Sequence, residues 1–338
     1  MVGIGEVAVA AGVSVATVSR ALGGRGPVAE STQQHVITVA AQLGYVASAT
    51  AAGLATGRSR AVGVIVPKID GWFYSTVLAS AQNELLKAGL DLTLYRLGDD
   101  ADARARVFEQ LALRGRTDGL LAVSLEVTQE EAGKLRAAGT PIVSLGGPIH
   151  GIRSVSVDEI EMSAVVTDHV AQLGHRRIAL ISGTPGRSDL LLPVKRQVGY
   201  ELALQHRGIA VDASLIETGS FSVESGYQAA VHLLRDPRRR PTALVAVSDE
   251  MAMGAMLAAR RLGLEVPRDV SVAGIDDHEH AAFFGLTTVA QYPGAQGARA
   301  VRLLLRQLAT NEDADDPLHD DPQPFELVVR TSTAPPSA

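Results

Sequence analysis

Carboxylate side chains stand directly after two apolar runs of the chain. Asp249 follows the run ALVAVS, and Asp276 follows the run VAGI. The aromatic residues that follow other apolar runs are Trp72, Phe73, Tyr74 and Phe221. An aromatic face stacks on C–H groups while carboxylates accept hydrogen bonds from hydroxyls, so this set of side chains suits a polyhydroxylated ring. Two simpler roles stay open: Asp249 as the N-cap of the next helix and Trp72 as an apolar plug.

The elements that position these residues alternate between strand and helix. The apolar runs typical of strands buried on both faces are AVGVIVP, DGLLAVSL, TPIVSLGG, RIALISG, ALVAVSD and VSVAGIDD. The helix-like stretches between them include 74–88, 101–115, 160–173, 193–207, 222–235 and 249–262. This alternation predicts doubly wound α/β layers, and at least ten strands predict two lobes. Ligands bind beyond the carboxyl ends of such strands, so the cleft between the lobes is the expected site.

The first 45 residues have a different pattern, with three short helices. The stretch VAVAAGVSVATVSRAL places Gly12, suited to a tight turn, between two helical segments, and Ser14 is a good N-cap for the second. The pattern from Ser31 to Gln34 predicts a capping box that opens a third helix, which ends at Gly44. This arrangement predicts a helix-turn-helix. A plain three-helix subdomain with a solvated face is the alternative.

The second helix carries small side chains and one arginine on its outer side. The residues expected there are Ser14, Val15, Ala16, Thr17, Ser19 and Arg20. Small side chains let a helix backbone lie deep in a major groove, where Arg20 can contact a guanine edge or a phosphate. Residues 1–60 carry a net charge of +2 while the remainder carries −8, so an anionic partner is expected to bind the first segment.

The stretch VAVAAGVSVATVSRAL resembles the helix-turn-helix of the lactose-repressor (LacI/GalR) family of bacterial transcription regulators. The likeness continues through PVAESTQQHVITVAAQLGY and runs, with one acidic insertion, to FELVVRTSTAPP near the end. The resemblance implies a headpiece at 1–45, a hinge helix or linker at 46–60, and two Rossmann-like lobes of periplasmic-binding-protein type at 61–338. Lobe 1 is expected at about 61–159 and 291–323, and lobe 2 at about 160–290 and 324–338.

The resemblance also implies roles for individual residues. Val15 and Ala16 match the two positions that help to choose the operator, and neither can form a bidentate hydrogen bond with a base. The effector contacts that it implies are Phe73, Tyr74, Arg196, Phe221, Ser248, Asp249 and Asp276. Ser248 replaces the usual asparagine, and Gly146 stands where an aspartate is frequent, so the identity of the sugar is not predicted.

The segment VASATAAGLATGRSR matches the family's hinge, which folds as a helix only on the operator. Leu54 matches the leucine that the family inserts into the minor groove, where an apolar wedge unstacks a base step and bends the duplex. Gly53 lies inside this segment and costs up to about 1 kcal/mol of helix stability relative to alanine. A flexible tether is the alternative reading of these residues.

Enzyme motifs are missing from the sequence. We find no G-x-S-x-G elbow, no G-x-x-x-x-G-K-[ST] loop and no H-E-x-x-H zinc motif. DDHEH at 276–280 lacks a second ligand cluster, so neither a metal site nor a cofactor is expected. The chain has no cysteine, which excludes disulfides and thiolate metal sites but does not fix the compartment. It has no run of 18 apolar residues and its N-terminus does not resemble a signal peptide, so a soluble cytoplasmic protein is expected.

We therefore expect a transcription regulator, most simply a repressor, whose operator affinity depends on a small molecule in the interlobe cleft. The expected partners are near-palindromic double-stranded operator DNA, a carbohydrate effector and a second copy of the chain. In the family the dimer interface uses the helix around Ser75–Leu86 and surfaces near Met251 and Phe283. The alternatives are a sugar-binding receptor without a DNA function and an effector of another class, such as a nucleobase.

Overall fold

The computed structural model describes residues 2–23, 27–45, 58–98, 100–112, 116–125, 127–137, 139–184, 192–310 and 321–337. Leu54 with most of the hinge segment and the centre of the acidic insertion lie outside the described residues. The chain divides into two compact units. The first comprises Met1–Ala61 with Gly115–Asp118, and the second comprises Val62–Arg114 with Gly119–Ala338.

The first unit begins with three helices around a small core. Helix α1 spans Ile4–Ala11, α2 spans Val15–Gly23 and α3 spans Glu30–Gln42. Gly12 adopts the left-handed conformation with φ of 64°, which glycine accepts without steric cost and which turns the chain between α1 and α2. The buried residues of this core are Val7, Ala8, Ala11, Val18, Ala21, Val36, Val39 and Ala40.

The start of the third helix differs from the prediction. Helix α3 begins at Glu30, one residue before the predicted cap, and its N-cap is Ala29, which makes no side-chain hydrogen bond to the helix. The capping box predicted for Ser31 and Gln34 is therefore wrong, because both residues lie inside the helix. Gln33 instead ties α3 to α2, since its Nε2 donates to the carbonyl oxygen of Ala21 at 3.3 Å.

Lobe 1 of the second unit is a six-stranded sheet in the order β11-β5-β4-β3-β1-β2. Its elements are β1 Ala61–Val66, α4 Trp72–Lys87, β2 Asp91–Arg96, α5 Ala101–Ala112, β3 Gly119–Val123, α6 Gln129–Ala137, β4 Ile142–Leu145, β5 Arg153–Ser156, α11 Pro293–Thr310 and β11 Asp321–Pro322. Strands β3 and β4 are buried along their whole length, as their apolar sequences predict for strands covered on both faces. Helices α4 and α11 pack against β1, β3 and β4 in one core.

Lobe 2 is a second six-stranded sheet in the order β12-β10-β9-β8-β6-β7. Its elements are α7 Glu159–Gln172, β6 Ile178–Gly183, α8 Leu192–His206, a 3-10 turn Ala213–Leu215, β7 Ile216–Gly219, α9 Val223–Leu234, β8 Ala243–Ala246, α10 Asp249–Arg261, β9 Ser271–Asp276, β10 Thr287–Ala290 and β12 Glu326–Val328. Among the described strands of this sheet, the edge strand β12 alone pairs antiparallel, with β10. Strands β6, β8, β9 and β10 are fully buried and form the centre of the largest core.

The chain passes between the lobes after β5, after β10 and between β11 and β12. The second passage contains Tyr292, which has a positive φ of 53°. The predicted fold class, a helical headpiece followed by two α/β lobes of periplasmic-binding-protein type, is confirmed.

No single helix among the described residues is long and apolar enough to cross a membrane. Helices α1 and α2 pass such a test only as a pair, and they bend by 101° at the turn between them.

Candidate functional site

The N-terminus of α2 is capped by a side chain that the sequence predicts. Ser14 Oγ accepts a hydrogen bond from the backbone N–H of Thr17 at 3.1 Å and lies 2.9 Å from Thr17 Oγ1. This bond satisfies one of the free N–H groups at the start of the helix, so the helix begins at a fixed residue. Val18 of the same helix is fully buried against α1 and α3, which orients the opposite face outward.

The outer face of α2 carries the residues predicted to contact DNA. Val15 is 48% exposed, and Ala16, Ser19 and Arg20 are also exposed, while Thr17 is half-buried. The Nε of Arg20 donates to the carbonyl oxygen of Ala16 at 3.2 Å. The guanidinium group therefore lies along its own helix, with its remaining donors available to a partner. Short side chains flank this single long one, which is the form that a major groove admits.

Asp276 lies at the carboxyl end of β9 in lobe 2, in an unusual backbone conformation. Its φ is 139° and that of Asp277 is 55°, values that L residues rarely adopt and that cluster at binding sites. The side chain of Asp276 is 10% exposed. Gln291 Nε2 donates to its Oδ1 at 2.5 Å, and the backbone N–H of Asp249 donates to its Oδ2 at 3.4 Å.

Arg196 on α8 is fully buried and reaches the same carboxylate. Its Nη1 lies 3.8 Å from Asp276 Oδ1 and donates to the carbonyl oxygen of Val247. Its Nε donates to Glu159 Oε2 at 2.7 Å in a buried ion pair. Helix α8 can approach α7 this closely because Gly199 has no side chain, and a Cβ there would lie 2.1 Å from the Ile160 carbonyl oxygen. Arg196 thus holds the lobe 2 carboxylates in place.

Ser248 and Asp249 use their side chains inside lobe 2. Ser248 is the N-cap of α10 and accepts from the backbone N–H of Met251 at 3.4 Å. The alternative in which Asp249 caps this helix is therefore wrong. The Asp249 carboxylate is fully buried, accepting from Thr288 Oγ1 at 2.6 Å and from the backbone N–H of His278 at 2.8 Å. Of the two, Asp249 contacts Asp276 through its backbone N–H, and both residues are buried.

Burial controls the protonation of this acidic pair. Burial raises the pKa of the Asp249 carboxyl group, and the neighbouring Asp276 charge raises it further. Burial also raises the pKa of Asp276, although the Arg196 charge and the Gln291 hydrogen bond oppose this shift. Two neighbouring buried carboxyl groups are more stable when they share one proton than when both are charged.

Phe221 lies at the end of β7, opposite the end of β6. Its φ is 58°, and its ring covers Gly183, where a Cβ would lie 2.4 Å from Phe221 Cε2. The ring is half-buried and also packs against the lobe 2 core. The predicted stacking residue is thus at a strand end, as the sequence places it.

Phe73 and Tyr74 lie in the first turn of α4, after the carboxyl end of β1 in lobe 1. Their rings meet edge to face with centroids 5.5 Å apart, and Lys68 Nζ lies 5.9 Å from the Tyr74 ring centroid. Both rings are half-buried and pack partly against the lobe 1 core. The part of each ring that remains exposed is available to a ligand.

Ser124 is a lobe 1 candidate that sequence reasoning missed. It follows β3 with a φ of 45°, and its buried Oγ has no hydrogen-bond partner within the described residues. Gly146, at the end of the adjacent strand β4, leaves the space for it, because a Cβ there would lie 2.4 Å from Ser124 Oγ. The glycine that replaces a frequent aspartate thus adjoins an unpaired hydroxyl group. An unpaired buried hydroxyl is costly and gains from a ligand partner.

Three further residues of the lobe 2 cluster also escaped prediction: Glu159, Thr288 and Gln291. Gln291 directly follows β10, so the strand-end rule that selected Asp276 could have found it, whereas Thr288 lies within β10 and that rule does not select it. Glu159 follows the N-cap Asp158 and resembles an ordinary acid in the first turn of a helix. Its partner Arg196 lies 37 residues away in the chain, so no local pattern indicates the pair.

Other features of the described residues fall outside this site. A groove of about 420 Å³ lies between α7, α8 and β12 on lobe 2, and none of the predicted effector residues lines it. Within the part of the chain that the structure describes, no group of three or more His, Cys, Asp or Glu residues is arranged to hold a metal ion.

The fold and both sites define a class of protein in which a helix-turn-helix is joined to a periplasmic-binding-protein-like receptor. Residues 3–48 match the family described as bacterial regulatory proteins, lacI family, and residues 167–333 match a periplasmic binding protein-like domain. The HTH-type transcriptional repressor PurR of Haemophilus influenzae (strain PittEE) is 30% identical over 336 residues, 98% of each chain. Catabolite control protein A of Priestia megaterium is 31% identical over 96% of this chain and 98% of its own.

Solved structures agree with these relatives. A lac repressor dimer bound to operator and the anti-inducer ONPF has a TM-score of 0.86 at 27% identity, covering 98% of this chain and 99% of its own. The transcriptional regulator CelR in complex with cellobiose has a TM-score of 0.72 at 29% identity, covering 98% of this chain and 100% of its own. The chain belongs to the LacI family of bacterial regulatory proteins. It is a DNA-binding transcriptional repressor and not an enzyme.

Proposed function

We propose that this repressor is a homodimer whose affinity for a near-palindromic operator is controlled by a carbohydrate bound between its two lobes. Residues 1–45 would read the operator, residues 46–60 would form the hinge with Leu54 as its wedge, and residues 61–338 would bind the effector. Such a regulator acts in the cytoplasm, where its operator is. The observation that carries the proposal is the cluster around Asp276, which brings hydrogen-bonding groups to the strand ends of lobe 2.

The chemistry of this cluster favours a polyol as the effector. Asp276 offers acceptor oxygens, and Arg196 lies behind it as a charge partner. In lobe 1 the half-exposed rings of Phe73 and Tyr74 offer faces, and Ser124 offers an unpaired hydroxyl group. Small-molecule binding sites typically have mostly apolar walls and a small number of precisely placed polar groups. Two structural relatives support the same class, since one is a complex with cellobiose and another contains bound ribose.

The exposed apolar side chains of the second unit support a dimer. Leu86 on α4 and Phe283 in lobe 2 are 57% and 88% exposed, respectively, and large exposed apolar side chains are typical of subunit interfaces. Met251 is itself fully buried, so a dimer surface near it would consist of its neighbours' side chains. A dimer places two headpieces on successive major-groove faces, which raises the effective concentration of the second headpiece.

A mobility-shift assay with genomic fragments upstream of the gene tests the proposal. We expect one fragment to be retarded in the presence of excess random duplex, and one member of a carbohydrate panel to change its retardation. Arg20→Ala should weaken binding by about 1–3 kcal/mol if this arginine reads a base. The control Arg260→Ala, an exposed arginine on α10, should bind normally.

Two results would contradict the proposal. A response to nucleobases alone, tested in a parallel panel, would assign the effector to another class. If the protein bound no DNA fragment in preference to another, the remaining function would be that of a sugar receptor that controls no operator.

A further inference from the structure

The only tryptophan of the sequence lies where lobe 1 meets lobe 2. Trp72 is the first residue of α4 in lobe 1, and His278 follows β9 in lobe 2. Their ring centroids are 4.8 Å apart with an interplanar angle of 36°. His278 is 8% exposed although it lies in a loop, and Trp72 is half-buried. Each ring therefore loses solvent through contact with the other lobe.

A second group of lobe 2 approaches the same turn. Glu250, in the first turn of α10, lies close enough to the backbone amide of Trp72 for that amide to lower its pKa. The Lys68 charge of lobe 1 acts in the same direction, while burial has the largest effect and raises the pKa. Lobe 2 thus contacts both the ring of Trp72 and the backbone at the start of α4.

We infer that Trp72 and His278 are positioning residues that hold the two lobes together beside the effector site. Only the regulatory role of this contact rests on the proposed function; the contact itself does not. The two rings belong to different lobes, so any separation of the lobes must break their contact. The strength of the contact is therefore part of the free-energy difference between open and closed lobes, which an effector must shift to act.

The position of the proton on His278 follows from its hydrogen bond. Nδ1 of His278 accepts a hydrogen bond from the backbone N–H of His280 at 3.0 Å, so the neutral ring carries its proton on Nε2. Protonation of Nδ1 would remove this acceptor and place a charge against the indole ring.

The charged groups around His278 come from three elements. His280, Glu279 and Asp277 lie on its own segment, Asp249 accepts from its backbone N–H and Glu250 lies on α10. Lys68 and Asp70 precede α4 on the opposite lobe. Burial lowers the pKa of His278, the His280 charge lowers it further, and Glu279 opposes both effects. Protonation is thus disfavoured while the contact is intact.

Trp72 emission measures this contact in the full chain, because no other tryptophan contributes. A protonated imidazole in contact with indole quenches its emission, whereas a neutral one quenches it weakly. We expect the wild-type emission to fall in one step as pH is lowered, with a midpoint below the usual histidine value of about 6.5. We also expect acrylamide, a soluble quencher, to reach Trp72 poorly at neutral pH.

Three variants distinguish a contact between lobes from a general effect of pH. His278→Phe retains a ring against Trp72 and should keep the shielding from acrylamide but lose the pH step. His278→Ala should lose both. His280→Ala removes a ring that contacts His278 and Phe283, and this variant should retain both the shielding from acrylamide and the pH step. Circular dichroism across the same pH range confirms that each variant remains folded.

Two results would overturn the inference. One is a wild-type emission without a pH step. The other is equal access of acrylamide to Trp72 in the wild type, His278→Phe and His278→Ala. Because neither measurement uses DNA or an effector, a failed operator assay would leave the result on this contact intact.

Discussion

Arg196 tests whether the lobe 2 cluster is an internal support or only a ligand contact. We expect Arg196→Met to leave Glu159 without its cation, because the pair is buried and its Nε–Oε2 distance is 2.7 Å. The Val247 carbonyl oxygen would also lose its donor. Removing one partner of a buried ion pair costs about 3–5 kcal/mol of unfolding free energy. Urea unfolding of the full chain, monitored by circular dichroism, measures this loss.

The double variant Glu159→Gln/Arg196→Met separates the ion pair from packing. We expect it to be more stable than Arg196→Met alone, because the uncompensated carboxylate is gone. Arg260→Met, at an exposed arginine on α10, is the matched control and should change stability by less than about 0.5 kcal/mol. The single variant Glu159→Gln completes the comparison. The reasoning is refuted if Arg196→Met is as stable as the Arg260→Met control, or if the stability losses of Arg196→Met and Glu159→Gln add up to the loss of the double variant.

Further variants test the remaining roles. Asp276→Asn should retain operator binding in mobility shifts but lose the effector response, because hydrogen bonds to a charged group contribute about 1.5–3 kcal/mol. Because the pKa of Asp249 is raised in the folded chain, the folded chain binds more protons than the unfolded chain above about pH 3.9. The free energy of unfolding therefore falls as pH rises towards the folded-state pKa. Asp249→Asn should show a shallower fall in urea titrations at several pH values, and an unchanged slope would contradict the pKa shift. Leu54→Ala should weaken specific operator binding while sugar affinity of the free protein stays constant, and loss of both would argue against a hinge role. Ser14→Ala should cost about 1 kcal/mol of helix stability in thermal melts, whereas the exposed Ser19→Ala should not.

The sequence predicts the fold well where periodicity and turn chemistry agree. Gly12 and the Ser14 cap define the helix-turn-helix, and the runs around Leu120 and Val245 predict strands that the structure buries completely. The predicted start of α3 was wrong because Ser31 and Gln34 fit a capping pattern that any short polar stretch can imitate. The helix instead begins at Glu30, after Ala29, without a side-chain cap.

The site was predictable only in part, for a physical reason. The rule that ligands bind beyond strand ends selects Asp276 and Phe221, because it depends on local sequence. The pairing of Arg196 with Glu159 and the unpaired hydroxyl of Ser124 depend on how distant elements pack. The burial of Asp249 behind Asp276 follows from Thr288, which the sequence places 39 residues later.

The central claim is that the headpiece and the interlobe site share one equilibrium. Calorimetric titration of the carbohydrate found in the shift assay, into free protein and into the protein–operator complex, tests it most directly. Coupling is reciprocal, so the ratio of the two sugar affinities must equal the ratio of operator affinities with and without the sugar. Equal sugar affinity in both titrations, alongside normal operator binding, would contradict the account.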